Sequence, residues 1–361
     1  MKLFIVGLGT IGEPLARLFL KVQERLGIEE IIIHKNTPEL KYRGMLSRFN
    51  QFGAKLAVFA NRKTEFETLL AGSGFGLFCT FEEALDRADI VVDCTKEKIG
   101  RMLKDKYYKN WADSKLGFIA QGSEKGFGKP YAFGINDGAL ISGADKFIQV
   151  VSCNTHQILC LLKTLVFDYG GAENLVKARF YLGRRASDIS QIESTVGVEV
   201  GSPSHPIYGS HQGEDAARVF ETVGFKDLDI HTAADKLNNP FMHVVHFDVT
   251  LRDKITLEEV EQRFRRNPLT AVTYWQTNNE VFAAGRDWGH FGRILNQTVV
   301  CLPSLQVIGN GHEVCGSLFT PQDGNALLSS VAAALWFIDP AGYKDKVKDN
   351  FFKLPFLFDE V

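Results

Sequence analysis

The chain has 361 residues, 45% of them hydrophobic and 23% charged, which is typical of a globular protein of about two domains. The formal net charge of −2 argues against nucleic acid or an anionic membrane as the main partner. No apolar stretch reaches transmembrane length, and the six cysteines show no paired spacing. We therefore expect a cytoplasmic protein without disulfides.

The predicted elements begin with an apolar strand over residues 3–6 that leads into a glycine turn. Gly7, Gly9 and Gly12 form a GxGxxG pattern at the opening of a helix predicted from Glu13 to about Leu26. The first glycine makes the tight turn, the second lets a pyrophosphate approach the backbone, and the third lets helix and strand pack closely. The pattern predicts a Rossmann dinucleotide site.

The end of the second strand decides between NAD and NADP. An acidic residue there would bind the ribose 2′-hydroxyl of NAD, whereas this chain has His34, Lys35, Asn36 and Thr37. A cation with amide and hydroxyl donors suits a 2′-phosphate, which predicts dual use with NADP preferred. Glu39 competes with the 2′-phosphate for Lys35. The alternative interpretation is that Lys35 is a solvated lysine that binds no ligand.

Further alternation of helices and strands predicts that residues 1–150 form an α/β dinucleotide-binding domain. Asp93, Cys94 and Thr95 end one predicted strand, and Gly122 follows another. They fall at the carboxyl edge of the sheet, where doubly wound folds bind ligands. Cys94 is better explained as a packing residue than as a second nucleophile.

One cysteine lies where a thiol becomes reactive. Residues 147–151 predict a buried strand, and an apolar helix face follows over 158–165, so Cys153 falls at or just before a helix N-terminus. The unpaired N–H groups and the macrodipole there favour a thiolate or an adjacent oxyanion. The alternative is a small buried packing residue.

The second half changes to long strands with a period of two, which predicts an α+β catalytic domain over residues 151–322 with a mixed or antiparallel sheet. A helix from about Leu257 to Arg265 interrupts these strands. A final helix is predicted over 323–338 and is expected to pack back on the first domain.

A thiolate nucleophile needs a base, and the chain has nine histidines. His243 and His246 lie three apart in a strand-like run, so at most one of them can face Cys153. His211 and His156 are the other candidates, and the residues alone leave these four open. No cysteine or histidine pair has zinc spacing, so no metal is predicted.

The chain resembles archaeal-type glyceraldehyde-3-phosphate dehydrogenases from the glycine turn to about Trp336. The motifs GLGTIG, HKNTPEL, VVDCTKEKIG, QGSEK, VVSCNT, GRRASD, SHQGED and FMHVVH occur in the same order as that family's GYGTIG, KTRPD, VDCTPEGIG, QGGEK, VVSCNT, RRGAD, SHHGPD and LMHQH. Eight collinear motifs are specific where single ones are not, and VVSCNT is close to diagnostic.

The resemblance implies that Cys153 is the nucleophile, and that His243, as part of a Met-His pair, is its base. The implied cofactor contacts are Thr10, Ile11, Gly122, Arg185 and Gln322, beside the candidates Lys35, Asn36 and Thr95. The implied substrate contacts are Ser152, Asn154, Thr155, His211 and Gln212. The Arg184 side chain is expected on the opposite face of its strand from Arg185. Arg184 is therefore a candidate for binding the substrate phosphate, and the alternative is that it is a solvated arginine.

Some positions depart from the family motifs. Val6 replaces an asparagine, Glu13 a basic residue, His156-Gln157 a Thr-Gly pair, and Gln212 a second histidine. The arginine after the family's PVW strand has no clear counterpart near residues 302–304. The thiol, its base and the dinucleotide turn are retained, so the reaction type is better supported than the substrate.

The resemblance implies a reversible, phosphorylating oxidation of glyceraldehyde 3-phosphate to 1,3-bisphosphoglycerate with NAD or NADP, through a thiohemiacetal and a thioester. It also implies a cytoplasmic homotetramer of glycolysis or gluconeogenesis that uses inorganic phosphate. Erythrose-4-phosphate, aspartate-semialdehyde and acylglutamyl-phosphate enzymes share this chemistry and differ in the anion pocket. A non-catalytic dinucleotide-binding protein is the remaining alternative, and it would predict loss of Cys153 or His243.

Overall fold

The computed structural model describes residues 1–186, 197–321 and 323–361. The chain divides into two compact units. The first comprises Met1–Lys129, Ile141–Val150 and Ser330–Asn350, and the second comprises Pro130–Leu140, Val151–Ser329 and Phe351–Val361.

The first unit alternates strands and helices. Its elements are β1 (Lys2–Val6), α1 (Gly12–Val22), β2 (Glu30–His34), α2 (Leu40–Gln51), β3 (Lys55–Val58), α3 (Lys63–Leu70), β4 (Cys79–Thr80), α4 (Phe81–Arg87), β5 (Ile90–Asp93), α5 (Ile99–Lys106), β6 (Gly117–Gln121), β7 (Lys129–Tyr131) and β8 (Phe147–Val150). The eight-stranded sheet has the order β4-β3-β2-β1-β5-β6-β8-β7, and its pairings from β4 through β8 are parallel.

The strand order positions the glycine turn. β1 pairs with β2 on one side and with β5 on the other, so the connections reverse direction between β1 and β5. Their apolar residues are buried, as expected for parallel strands covered on both faces. The carboxyl ends of β1 and β5 therefore meet at the topological switch point, where doubly wound sheets bind ligands.

The second unit is built on a mixed sheet. Its elements are α6 (Cys153–Leu162), α7 (Asp168–Gly170), β9 (Leu175–Arg184), α8 (His211–Glu221), β10 (Ile230–Lys236), β11 (Val244–Leu251), α9 (Leu257–Arg266), β12 (Thr270–Thr273), α10 (Asn278–Trp288), β13 (Thr298–Ile308) and β14 (Glu313–Phe319). The six strands have the order β10-β9-β11-β14-β13-β12, with antiparallel pairs at the centre and one parallel pair at each edge. Apolar residues of β9, β11 and α6 share one core cluster.

The chain ends with α11 (Gly324–Ile338) and α12 (Tyr343–Phe351). The predicted fold class, a Rossmann sheet followed by a mixed sheet, is confirmed. The first helix ends at Val22, earlier than the predicted Leu26. Within the described residues, none of the helices has the length and apolarity needed to cross a bilayer.

Candidate active site

Cys153 is the first residue of α6, as the sequence predicted, and it is partly exposed. Ser152 caps this helix, because its Oγ accepts from the Thr155 N–H at 3.4 Å and lies 2.9 Å from the Thr155 hydroxyl. The thiol therefore lies at a helix N-terminus, where backbone N–H groups and the macrodipole favour negative charge. Thr155 is fully buried, so its hydroxyl serves the cap.

Side chains from distant parts of the chain hold this first turn. The Asn325 amide donates to the Cys153 carbonyl at 2.9 Å. The Thr320 hydroxyl lies 3.3 Å from Oδ1 of Asn154 and 2.5 Å from Oε1 of Gln157. Sequence reasoning missed Asn325 and Thr320, since nothing local to either residue marks a partner so far along the chain.

His243 joins the same network just before β11. Its carbonyl accepts from the Thr320 N–H at 3.1 Å, and the residue is only 7% exposed. The Arg185 N–H donates to Nδ1 of His243 at 2.8 Å, so the ring proton of the neutral imidazole is on Nε2. Burial, and then the charges of Arg185 and Arg184, lower the pKa of His243 to about 3. His243 is thus linked through Thr320 to the turn that begins α6, and its neutral ring carries one N–H donor.

The other histidines occupy different surroundings. His246 is exposed, lies 2.9 Å from the Ser317 hydroxyl through Nδ1 and stacks on Tyr181. It is thus on the opposite face from His243, in agreement with the period of the strand. His156 is fully buried in α6, and His211 is the first residue of α8.

Two arginines and a carboxylate line a small pocket of about 20 Å³ that includes Met242, the residue before His243. The Asp323 carboxylate lies 3.9 Å from the Arg185 guanidinium and 3.7 Å from that of Arg293. Two cations and one anion therefore lie together in its lining. Arg293 and Asp323 were not predicted, because neither belongs to a recognisable motif.

The remaining candidates for substrate contact are more dispersed. Arg184 ends β9 and is half-buried. Gln212 is buried at the start of α8, and its Oε1 accepts from the Ser210 hydroxyl at 2.6 Å, which ties it to the Ser210–Thr232 pair rather than to the Cys153 network. Gln322 lies outside the described residues.

In the first unit, the geometry of the glycine turn fits a pyrophosphate. Gly7 has a φ of +90°, and a Cβ on Gly12 would lie 1.9 Å from the Gly7 carbonyl oxygen. A Cβ on Gly9 would meet nothing within 4 Å, so the backbone there is open to a ligand. Ile11 precedes α1, and among the described residues no side chain caps this helix. Thr10 and Ile11 therefore lie at the start of a helix, a position that favours an anion.

The end of β2 brings Lys35 to this turn. Its ammonium donates to the Leu8 carbonyl at 3.0 Å and lies 3.6 Å from the Tyr42 ring centroid. Burial lowers the pKa of Lys35. Glu39 pairs with Lys41 at 2.6 Å. Asn36 is exposed beside Lys35, so a cation and an amide both lie at this end of the strand.

His34 contributes no charge to this end. Its ring is buried among Phe4, Phe59 and Phe81, and burial lowers its pKa to about 3. The cationic character predicted for the strand end therefore depends on Lys35.

Thr95 and Gly122 complete this edge of the sheet. The Thr95 N–H donates to Oδ1 of Asp93 at 2.9 Å, and the Thr95 methyl group would contact a Cβ on Gly7. Gly122 follows β6 with a φ of +71°, and its carbonyl accepts from Gln149 at 2.9 Å. Burial holds the pKa of the Cys94 thiol well above its usual range, as expected for a packing residue.

Comparison with known proteins gives one consistent result. No protein-family model matches the chain. It is 31% identical over 263 residues to the glyceraldehyde-3-phosphate dehydrogenase of Methanococcoides burtonii, which covers 72% of this chain and 70% of that protein. It is 29% identical over 274 residues to the enzyme of that name from Archaeoglobus fulgidus, covering 74% and 72%. The corresponding protein of Pyrobaculum islandicum is 25% identical over 314 residues, covering 86% and 85%.

Proposed function

The chain belongs to the glyceraldehyde-3-phosphate dehydrogenase family, and we propose that it catalyses the reversible, phosphorylating oxidation of glyceraldehyde 3-phosphate to 1,3-bisphosphoglycerate. The observation that carries this proposal is the shared network of Cys153, at the N-terminus of α6, and His243, which presents a neutral N–H group. The open glycine turn supports NAD or NADP as the cofactor.

In the proposed mechanism, the Cys153 thiolate attacks the aldehyde carbon, and the carbonyl oxygen becomes an oxyanion. Backbone N–H groups at the start of α6 and the Nε2–H of His243 donate to this oxyanion. When bound, the oxidised cofactor supplies the hydride acceptor. The thioester that remains on Cys153 is attacked by inorganic phosphate, which releases the acyl phosphate and restores the thiolate.

The tautomer of His243 defines what this ring contributes. It could accept a proton only at Nδ1, which the Arg185 N–H occupies. We therefore propose hydrogen-bond donation to the oxyanion as its main role, with the Cys153 proton released to solvent. Proton transfer through His243 is the competing role.

The rest of the site is assigned within the same proposal. We assign cofactor contacts to Gly7, Gly9, Thr10, Ile11, Gly12, Lys35, Asn36, Thr95, Gly122, Arg185 and Gln322, and substrate contacts to Ser152, Asn154, Arg184 and His211. The buried Thr155 and Gln212 instead support the first turns of α6 and α8. We propose that the protein is a cytoplasmic homotetramer that acts in glycolysis or gluconeogenesis. Light scattering of the purified protein tests the oligomeric state.

A substrate screen tests the function. Purified protein is assayed with NAD and NADP, with and without inorganic phosphate, against glyceraldehyde 3-phosphate, erythrose 4-phosphate and aspartate semialdehyde. We expect phosphate-dependent reduction of the cofactor with the first aldehyde. A preference for another aldehyde would identify the protein as a related dehydrogenase. Cofactor binding without turnover of any aldehyde would indicate a non-catalytic protein.

A further inference from the structure

His156 lies three residues after Cys153, at a position where the chain departs from the family motif, and its ring is completely buried. Its Nδ1 lies 3.0 Å from the Ser152 carbonyl oxygen. A carbonyl can only accept, so Nδ1 carries the ring proton. Burial lowers the pKa of His156 to about 4, which agrees with a neutral ring.

The other ring nitrogen is equally well defined. Nε2 lies 2.8 Å from the Ser329 hydroxyl, and since Nε2 has no proton, the hydroxyl donates to it. The Ser329 Oγ in turn accepts from the Phe133 N–H at 3.0 Å. The three hydrogen bonds run in one direction from Phe133 to the Ser152 carbonyl, and bonds aligned in this way strengthen one another.

The Ser152 carbonyl belongs to the same planar peptide as the Cys153 N–H. A bond that fixes the direction of the carbonyl therefore also fixes the direction of this N–H, which points the opposite way. The same carbonyl accepts the His156 N–H at 2.9 Å, so one residue holds it through both backbone and ring.

We propose that His156, supported by Ser329, is a positioning residue that orients the Ser152–Cys153 peptide, so that the Cys153 N–H points at the oxyanion and the thiolate keeps its place at the helix N-terminus. This inference rests on the proposed function, in which Cys153 is the nucleophile. Neither residue touches the substrate, so disturbing them should change kcat and leave the KM values nearly unchanged.

The test uses four variants of the full-length protein. Asparagine places its amide nitrogen as many bonds from Cα as Nδ1, and glutamine places its own as many as Nε2. His156→Asn therefore keeps the donor to Ser152 but loses the bond to Ser329, and Ser329→Ala has the same effect on the bond series. His156→Gln loses the donor to Ser152 itself. Thr164→Val is the matched control, because it removes another buried hydroxyl, which accepts from Asn267, in the helical segment that continues α6.

Two readouts are measured, kcat and KM with the aldehyde, and the rate at which iodoacetamide alkylates Cys153. Removing an oxyanion donor costs about 10²–10³-fold in kcat, so misdirecting one should cost about tenfold. We expect this loss, and a comparable slowing of alkylation, in His156→Gln. Ser329→Ala and His156→Asn both keep the donor to Ser152 and lose only its support, so each should fall by about threefold. Thr164→Val should lose thermal stability but no reactivity.

Alkylation needs neither aldehyde nor cofactor, so it reports on the positioning role even if the wild type proves to have no dehydrogenase activity. If Ser329→Ala behaves like Thr164→Val, or if His156→Asn falls as far as His156→Gln, the proposal is wrong. Should the histidine variants fail to fold, Ser329→Ala against Thr164→Val decides alone.

Discussion

Two turns of this protein have the same plan, a buried strand followed by the N-terminus of a helix, but they are built by different means. The turn between β1 and α1 is shaped by its own glycines, and its backbone at Gly9 is left open. The turn that begins α6 is capped by Ser152 and held by Asn325 and Thr320 from far along the chain. A site for a diffusing ligand needs accessible N–H groups, whereas a nucleophile needs a fixed side chain.

The largest expected effect comes from replacing the reactive sulfur atom in the turn that begins α6. Cys153→Ser should reduce aldehyde oxidation at least about a thousandfold, because serine cannot supply a thiolate near neutral pH. Serine is well tolerated at a helix start, so cofactor binding, measured by fluorescence titration, should be unchanged. Alkylation followed by mass spectrometry should label Cys153 before the other five cysteines. Retained activity in the serine variant would remove Cys153 from the mechanism.

The second prediction compares the two histidines near the start of β11. His243→Asn should lower kcat by about 10²–10⁴-fold, and His246→Asn should do much less, because His246 is exposed and bonded to Ser317. Since burial beside Arg185 and Arg184 lowers the pKa of His243 to about 3, its ring stays neutral down to about pH 5. The wild-type kcat should therefore show no titration near pH 6.5, the usual histidine value.

The alkylation rate of Cys153 separates the two roles of His243. Removing a proton acceptor would slow alkylation of the thiol, whereas removing a donor to the oxyanion would leave it nearly unchanged. We expect the second result for His243→Asn. Slow alkylation in that variant would show that the His243 ring acts as a base.

These two turns also show how far the sequence predicts the structure. The glycine spacing, the helix that starts at Cys153 and the opposite faces of His243 and His246 depend on neighbours within a few residues, and they were predicted correctly. Local spacing carries this information because helix and strand periods repeat over short distances.

The residues that complete the Cys153 turn could not be predicted. The partners of Asn154, His156 and Gln157 lie 141 to 173 residues away, and each is one polar residue in an otherwise unremarkable segment. Only tertiary packing brings them together. For the same reason, Lys35 was predicted as a cation at a strand end, but its contacts with Leu8 and Tyr42 were not.

The third prediction separates two glycines of the first turn. Gly12→Ala should lower the free energy of unfolding by about 1–3 kcal/mol, because its Cβ would lie 1.9 Å from the Gly7 carbonyl oxygen. Gly9→Ala should change it by less than about 0.5 kcal/mol, because its Cβ meets nothing within 4 Å, yet it should weaken cofactor binding. Chemical denaturation and cofactor titration measure the two effects. Equal destabilisation, or normal cofactor affinity in Gly9→Ala, would contradict the open turn.

The smallest expected effect concerns the choice of cofactor at the same turn. A charge-assisted hydrogen bond to a 2′-phosphate is worth about 1.5–3 kcal/mol, or roughly tenfold to a hundredfold. Lys35 already donates to Leu8, and burial lowers its pKa, so we expect the lower end of this range. Glu39 pairs with Lys41, and its charge also acts on Lys35. The ratio of specificity constants for NADP and NAD should thus favour NADP in the wild type and fall about tenfold in Lys35→Ala.

Lys41→Ala is the control: freeing Glu39 should move the ratio toward NAD, but by less. A wild type that strongly prefers NAD, or a ratio indifferent to Lys35→Ala, would show that this lysine supports the glycine turn and does not select the cofactor.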